Sequence, residues 1–80
     1  MQKTIFNSAY ALLVGRLRTA RIARGFTQAD VGKLLGCSRH WIQKIEACQV
    51  RVDVLQLIKL GRVYGISAAD LVKAAEEELP

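Results

Sequence analysis

One stretch of the chain, residues 27–46, places a glycine between two short segments with helical periodicity: Thr-Gln-Ala-Asp-Val-Gly-Lys-Leu-Leu-Gly-Cys-Ser-Arg-His-Trp-Ile-Gln-Lys-Ile-Glu. Glycine accepts the left-handed backbone that ends a helix, because it has no β-carbon to clash. Gly36 is followed two residues later by Ser38, whose hydroxyl can cap the next helix. The pattern predicts helices over about residues 28–35 and 38–47, joined by a sharp turn.

Capping signatures mark the starts of other helices. Thr27 opens a Thr-x-x-Asp sequence, in which the cap and the third helical residue satisfy each other's backbone N–H groups. Similar signatures begin at Asp53 and Ser67, and Ser8 can cap a first helix over about residues 9–24. The chain is therefore predicted to be all-α, with five helices and no strand.

Length and composition indicate one globular domain. Eighty residues allow one modest core, and a hydrophobic fraction of 51% with a single proline argues against disorder. We expect a single domain over residues 1–80, with residues 1–8 as an N-terminal extension and residues 9–78 as the five-helix core. The sequence shows no evident internal repeat or linker.

The charge is divided unevenly along the chain. Residues 1–65 hold eleven lysines and arginines against three acids, a net charge of +8, whereas residues 66–80 hold one lysine against four acids, a net charge of −3. A basic body with an acidic tail suits a polyanion that contacts one face, because phosphates release counterions to clustered cations. On charge alone, a solvated basic surface explains the pattern equally well.

The second helix of residues 27–46 has a polar face formed by Arg39, His40, Gln43 and Lys44. Two short helices at a sharp turn, with such a face exposed, are typical of a helix-turn-helix that presents one helix to the major groove of double-stranded DNA. Arginine can pair bidentately with guanine and glutamine with adenine, so Arg39 and Gln43 are candidate base readers. His40 and Lys44 can donate to guanine or to phosphates.

Candidate phosphate contacts lie at the helix N-termini and in the loop after the third helix: Thr27, Gln28, Ser38, Trp41 and Arg51. Backbone N–H groups and partial positive charge at a helix N-terminus favour a phosphate there. The indole N–H of Trp41 can donate to a phosphate, although packing on the core is the commoner role for such a side chain.

Residues 17–71 resemble the Cro and phage-repressor type of helix-turn-helix regulators, the xenobiotic-response-element family. The positions that carry the resemblance are Leu17, Arg21, Gly25, Thr27, Gln28, Val31, Gly32, Leu35, Gly36, Ser38, Ile42, Ile45, Glu46, Leu57, Leu60, Gly65, Ile66 and Leu71. Cys48 and Val52 depart from it, since the family often has glycine and proline there. A left-handed Cys48 would carry backbone strain.

The resemblance implies a lambda-repressor-like fold with the helix-turn-helix at helices 2 and 3. It also implies a homodimer whose third helices read two halves of a palindromic operator. Helical periodicity places Arg21 at the edge of an apolar stripe, where it needs a partner, and the resemblance implies a structural ion pair with Glu46. A phage-type repressor, an antitoxin-like autoregulator and a restriction controller all remain compatible with these expectations.

Four apolar residues lie off the faces that their helices bury, which suggests a protein contact: Leu12, Ile22, Leu55 and Val63. The candidates for a dimer interface are Phe6, Leu55 and Leu71. A different class of function remains open on the same observation: a helical interaction module, or an antitoxin-like partner-binding protein, that has kept the fold with weak or no DNA binding.

Other classes of function find little support in the sequence. Cys37, His40 and Cys48 supply three possible zinc ligands but lack a fourth, so we expect no metal and no cofactor. A single histidine and the lack of a glycine-rich phosphate loop argue against an enzyme. Two cysteines without a signal peptide or a long apolar run lead us to expect a cytoplasmic protein.

Overall fold

The computed structural model describes the backbone of residues 2–80 and the side chains of residues 8–80. Within that part of the chain every regular element is an α-helix, which confirms the predicted all-α fold. In chain order the helices are α1 (Gln2–Ala23), α2 (Gln28–Leu35), α3 (Arg39–Glu46), α4 (Val54–Tyr64) and α5 (Ala68–Glu76). The bounds of α2 match the prediction, and α3 is one residue shorter at each end.

The first helix begins earlier than predicted. α1 starts at Gln2, so residues 2–8 continue the helix instead of forming a separate extension. Neither glycine nor proline occurs between Gln2 and Ser8, and a serine is tolerated inside a helix as well as at its cap. The prediction of a helix start after Ser8 is therefore wrong.

Four helices are followed by a residue in the left-handed conformation. Gly25, Gly36 and Gly65 follow α1, α2 and α4 with φ angles of 78°, 70° and 73°. Cys48 follows α3 with φ 59°, and it is the one non-glycine residue with positive φ in the described backbone. The chain therefore uses the same kind of helix end four times, once without a glycine.

The hydrophobic core receives side chains from all five helices, and α1 packs against α3, α4 and α5. The buried core residues are Leu13, Val14, Leu17, Val31, Ile42, Ile45, Leu57, Leu60, Tyr64 and Leu71. Leu71 is only 4% exposed. Its prediction as a dimer contact is therefore wrong, because a side chain buried in the core of the monomer cannot also contact a partner. Burying such a leucine stabilises the fold by roughly 1.5–3 kcal/mol.

The turn between α2 and α3 recurs between α4 and α5. Residues 31–38 read Val-Gly-Lys-Leu-Leu-Gly-Cys-Ser, and residues 60–67 read Leu-Gly-Arg-Val-Tyr-Gly-Ile-Ser. In each turn, a β-carbon on the first glycine would lie 2.7 Å from the carbonyl oxygen of the residue after the left-handed glycine. We call residues 27–46 the first unit and residues 53–76 the second unit. The prediction that the chain has no internal repeat is wrong at the level of these turns.

Candidate nucleic-acid interface

The face of α3 that points away from the core carries four side chains able to form hydrogen bonds. Arg39, His40, Gln43 and Lys44 are all exposed, and at about 100° per residue they occupy an arc of about 140°. On the opposite side, the two isoleucines of the helix are each 2% exposed and belong to the core. The helix is thus fixed on its apolar side and free to contact a ligand along its polar side.

Close packing and a cap hold the start of α3 against α2. A β-carbon on Gly32 would lie 2.7 Å from the carbonyl oxygen of Cys37 and 3.2 Å from the backbone nitrogen of Arg39. The hydroxyl of Ser38 accepts a hydrogen bond from the backbone N–H of Trp41 at 3.2 Å. The Trp41 side chain is half-buried and packs against the core, so its indole serves the fold whether or not it also meets a phosphate.

Several donors surround the carboxylate of Glu46 at the end of α3. Arg21 donates from Nε to Oε2 at 2.7 Å and from Nη2 to Oε1 at 3.0 Å. The side-chain amide of Gln28 donates to Oε1 at 3.1 Å, and Nε of Arg18 lies 3.8 Å from the same oxygen. The structure thus contains the ion pair between Arg21 and Glu46, and this pair joins α1 to the end of α3.

Arg21 is buried in its charged form. The residue is 8% exposed, and its Nη1 also donates to the carbonyl oxygen of Phe26 at 2.7 Å. The hydrogen bond to Glu46 raises the pKa of Arg21, against the opposing effect of burial. The guanidinium is therefore compensated by partners on two sides, and removing the carboxylate would leave a poorly solvated charge.

The N-terminus of α2 is closed by a capping box. The backbone N–H of Thr27 donates to Oδ2 of Asp30 at 2.9 Å, and the N–H of Asp30 donates to Oγ1 of Thr27 at 3.0 Å. These bonds from Thr27 lower the pKa of Asp30. Gln28 is half-buried and gives one amide proton to Glu46, which leaves its other amide proton for the predicted phosphate contact.

The loop after α3 leaves the helix through a left-handed cysteine. The N–H of Cys48 donates to the carbonyl oxygen of Ile45, and the N–H of Gln49 donates to that of Lys44, both at 2.9 Å. This pair of bonds is the helix-ending pattern that most often has glycine at the left-handed position. Cys48 therefore adopts the left-handed backbone conformation that glycine usually has at this position, although it carries a β-carbon.

Tyr10 of α1 holds the next part of this loop. Its hydroxyl donates to the carbonyl oxygen of Val50 at 2.7 Å and accepts from the N–H of Val52 at 3.2 Å. Cζ of Arg51, the residue between them, lies 5.1 Å from the centroid of the Tyr10 ring. Burial raises the pKa of Tyr10. Sequence reasoning missed this role, because no local pattern links residues about 40 positions apart.

The three predicted dimer contacts differ in their exposure, where the structure describes it. Leu55 is 69% exposed near the start of α4, where it neighbours Val54 at 72%. Ile58, one helical turn after Val54, is 36% exposed. The side chain of Phe6 lies outside the described residues, and Leu71 is in the core.

The described part of the chain offers neither a metal site nor a membrane span. No group of three or more histidine, cysteine, aspartate or glutamate side chains there could hold a metal ion, and Cys37 and Cys48 are free thiols. Among the described residues, no helix combines the length and the apolar character needed to cross a membrane.

A polar recognition helix, held by a tight turn to a capped partner helix, defines a helix-turn-helix protein. The family profile described as a helix-turn-helix domain matches residues 12–74. A solved structure, the XRE-family like protein from Pseudomonas syringae pv. tomato str. DC3000, is 32% identical and superposes with a TM-score of 0.85. That alignment covers 99% of this chain and 96% of the other. The search of curated proteins found no match.

The chain belongs to the helix-turn-helix domain family. It is a DNA-binding regulator of the XRE and Cro type, with α2 and α3 as the helix-turn-helix. Regulators of this type bind DNA and are not enzymes. The predicted fold and class of protein are thus confirmed.

Proposed function

We propose that the chain acts in the cytoplasm as a homodimeric transcriptional regulator that reads a palindromic operator through α3. The observation that carries this proposal is the exposed polar face of α3 on a helix that is fixed at both ends. Gly32 permits the tight turn at its start, and Glu46 joins its end to α1. A rigid helix with a hydrogen-bonding face is what readout of base edges requires.

Base recognition is assigned to four side chains: Arg39, His40, Gln43 and Lys44. Arg39 lies in the first turn of α3 and suits the O6 and N7 acceptors of guanine, while Gln43, one turn later, suits the N6 and N7 of adenine. Each such bidentate pair discriminates against the wrong base by roughly 1–3 kcal/mol. His40 and Lys44 lie beside them and donate to guanine or to phosphate oxygens.

Phosphate contacts would fix the register of α3 without reading sequence. We assign them to Thr27, Ser38 and Arg51, which are exposed, and to Gln28 and Trp41, which are half-buried. Arg18 is an addition that the sequence did not suggest: its side chain is 60% exposed and reaches the Glu46 end of α3. Its remaining guanidinium N–H groups suit a phosphate.

A homodimer supplies the second recognition helix. One 80-residue chain offers few base contacts, and two α3 helices about 34 Å apart would read two half-sites one turn of DNA apart. Leu55 is the best-placed dimer contact, because it forms an exposed apolar patch with Val54 and Ile58 on α4. The same patch is the observation that favours the alternative, a protein-interaction module with weak DNA binding.

DNA binding is tested by selecting bound duplexes from a random pool and measuring their affinity across salt concentrations. A phosphate-contacting reader loses affinity linearly in the logarithm of salt, and Arg39→Ala should reduce preference between sequences. Lys73→Ala is the matched control, because it removes one exposed charge from α5. Failure to bind any duplex at low salt would favour the interaction module.

Dimerisation is tested separately by sedimentation of Leu55→Asp. A charge in the proposed interface should shift the protein toward monomer and weaken binding to a two-half-site duplex. Leu34→Asp, on α2 and 59% exposed, is the control that places the same charge elsewhere. An unchanged dimer in Leu55→Asp would remove α4 from the interface.

A further inference from the structure

We propose that Tyr10 is a positioning residue for DNA binding, which holds Arg51 at the C-terminal end of α3 to receive a backbone phosphate. The inference rests on the proposed function, because Arg51 is one of its phosphate contacts. It adds a residue of α1, far away in sequence, to the interface formed by α2, α3 and the following loop.

The first support is that the hydroxyl of Tyr10 holds the backbone on both sides of Arg51. Tyr10 donates to the carbonyl oxygen of Val50 and accepts from the N–H of Val52, so it binds the backbone on both sides of Arg51. Two hydrogen bonds to one loop restrict the backbone angles of the residue between them. The direction in which the Arg51 side chain leaves the loop is therefore set by Tyr10.

The second support is the position of the guanidinium. Cζ of Arg51 lies 5.1 Å from the centre of the Tyr10 ring, within the range of a cation–π contact, and the residue remains exposed. No ion pair joins Arg51 to a carboxylate in the side chains described for residues 8–80. Arg21, by contrast, gives two N–H groups to Glu46. Arg51 is thus oriented without being neutralised.

The third support is the place of the loop relative to the groove. α3 has eight residues and is therefore about 12 Å long, close to the width of the major groove at about 12 Å. With α3 in the groove, we expect the residues just after it to lie near the edge of the groove, where the phosphates are. Arg51 follows Glu46 by five residues, and its exposed side chain suits a contact at that edge.

Holding a long side chain in place before binding raises affinity, because less conformational freedom is lost in the complex. The cost of immobilising one such side chain corresponds to a change in affinity of about two- to tenfold. The charge itself is present with or without Tyr10. Loss of the Tyr10 hydroxyl should therefore change affinity while leaving the number of phosphate contacts the same.

A double-mutant cycle tests this with four proteins: wild type, Tyr10→Phe, Arg51→Ala and the double variant. The probe is a fluorescent duplex of random sequence, about 20 base pairs or two helical turns long, titrated at several salt concentrations. Tyr10→Phe should weaken binding about two- to tenfold when Arg51 is present and have no further effect in Arg51→Ala. Arg51→Ala should reduce the slope of log affinity against log salt by about 0.9, and Tyr10→Phe should retain the wild-type slope.

Tyr64→Phe is the matched control, since it removes a hydroxyl from a buried tyrosine of α4 without touching the loop. If Tyr10→Phe does not fold, Arg51→Lys replaces it: the charge stays, the stacking on the ring weakens, and affinity should fall at constant slope.

Equal losses from Tyr10→Phe in both backgrounds, or wild-type affinity in Arg51→Lys, would overturn the positioning role while DNA binding stands. A wild-type protein that binds no duplex would overturn both proposals.

Discussion

The first and second units of this chain share a turn and differ in the side chains that they expose. Gly32, Gly36 and Ser38 of the first unit recur 29 positions later as Gly61, Gly65 and Ser67. In both turns the left-handed glycine and the residue after it donate to the carbonyl oxygen of the earlier glycine. The geometry of two helices joined at a fixed angle is therefore built twice.

The exposed faces of the second helices are what separates the units. Where α3 has arginine, histidine, glutamine and lysine, the corresponding residues of α5 are Ala68, Ala69, Val72 and Lys73, of which Ala68 is half-buried against the core. Alanine and valine cannot form the bidentate hydrogen bonds that distinguish base pairs. The turn therefore supplies a rigid helix, whereas the capacity to read DNA depends on the side chains of its outer face.

The C-terminal ends of α3 and α5 differ as well, and a substitution there should change stability more than any other considered for the two units. Glu46, at the end of α3, corresponds to Ala75 in α5. Its side chain is 7% exposed and bonds to Arg21. Glu46→Ala should destabilise the fold by about 3–5 kcal/mol, because the guanidinium would remain buried without its carboxylate. Thermal unfolding should show a fall in Tm well above 10 °C, at about 4–8 °C per kcal/mol.

Glu76→Ala is the control for this experiment. Glu76 is an exposed acid at the end of α5, so its removal should change stability by less than about 0.5 kcal/mol. An unchanged melting temperature for Glu46→Ala would show that the ion pair does not stabilise the fold.

The two units also differ in the residue before the left-handed glycine, which is Leu35 in the first unit and Tyr64 in the second. Only the tyrosine can make stability depend on pH. Burial raises the pKa of Tyr64 to about 12, from 10.0, with a further contribution from the Glu46 charge. The unfolded chain ionises first, so stability is fully present below pH 10 and is lost as pH rises toward 12. The loss should reach up to about 3 kcal/mol in urea unfolding measured across that range.

Tyr64→Phe should remove most of this pH dependence, since phenylalanine has no proton to lose. Phenolate absorbance of the folded protein should show Tyr64 titrating with a pKa of about 12, above that of a free phenol, and Tyr64→Phe should lack this step. A wild-type unfolding free energy that is constant from pH 9 to about pH 12 would contradict the expectation.

The glycines at the helix crossings allow the two units to be perturbed in the same way. Alanine at position 32 or 61 would place a β-carbon 2.7 Å from a backbone oxygen. Gly32→Ala and Gly61→Ala should each destabilise by about 1–2 kcal/mol, since the clash exceeds the gain in helix propensity. Gly32→Ala alone should also weaken sequence-specific DNA binding, by about tenfold, because it displaces α3 from α2.

The two alanine variants act as controls for each other, with Tm and operator affinity measured on both. Equal losses of affinity would mean that global stability, and not the position of α3, controls DNA binding. An unchanged Tm in Gly32→Ala would mean that the crossing of α2 and α3 relaxes without cost.

The sequence predicts the parts of the molecule that local chemistry controls. The bounds of α2 and the turn at Gly36 follow from a capping box and a glycine, both of which act within a few residues. Periodicity alone predicts one partner of the ion pair, because it places Arg21 at the edge of the core. The other partner, Glu46, is predicted only by the resemblance to a known family.

The features that the sequence did not predict depend on tertiary contacts or on missing local signals. The start of α1 has no glycine or proline to mark it, so a capping residue at Ser8 was misleading. The bonds from Tyr10 to the loop join residues about 40 positions apart, which no periodicity can show. An apolar residue such as Leu71 suits a core or an interface equally well by sequence, and only its packing in the structure shows that it lies in the core.

A smaller effect is expected at Cys48, the left-handed helix end that lacks glycine. Cys48 has φ 59°, a conformation that costs a residue with a β-carbon about 1–2 kcal/mol, while glycine costs about 0.5–1 kcal/mol more entropy on folding. Cys48→Gly should therefore stabilise the protein by up to about 1 kcal/mol, seen as a rise of a few degrees in Tm. Cys48→Ala removes the sulfur but keeps the β-carbon, so it should give no such gain. Equal stabilisation by both substitutions would attribute the gain to the loss of the thiol instead of to relief of backbone strain.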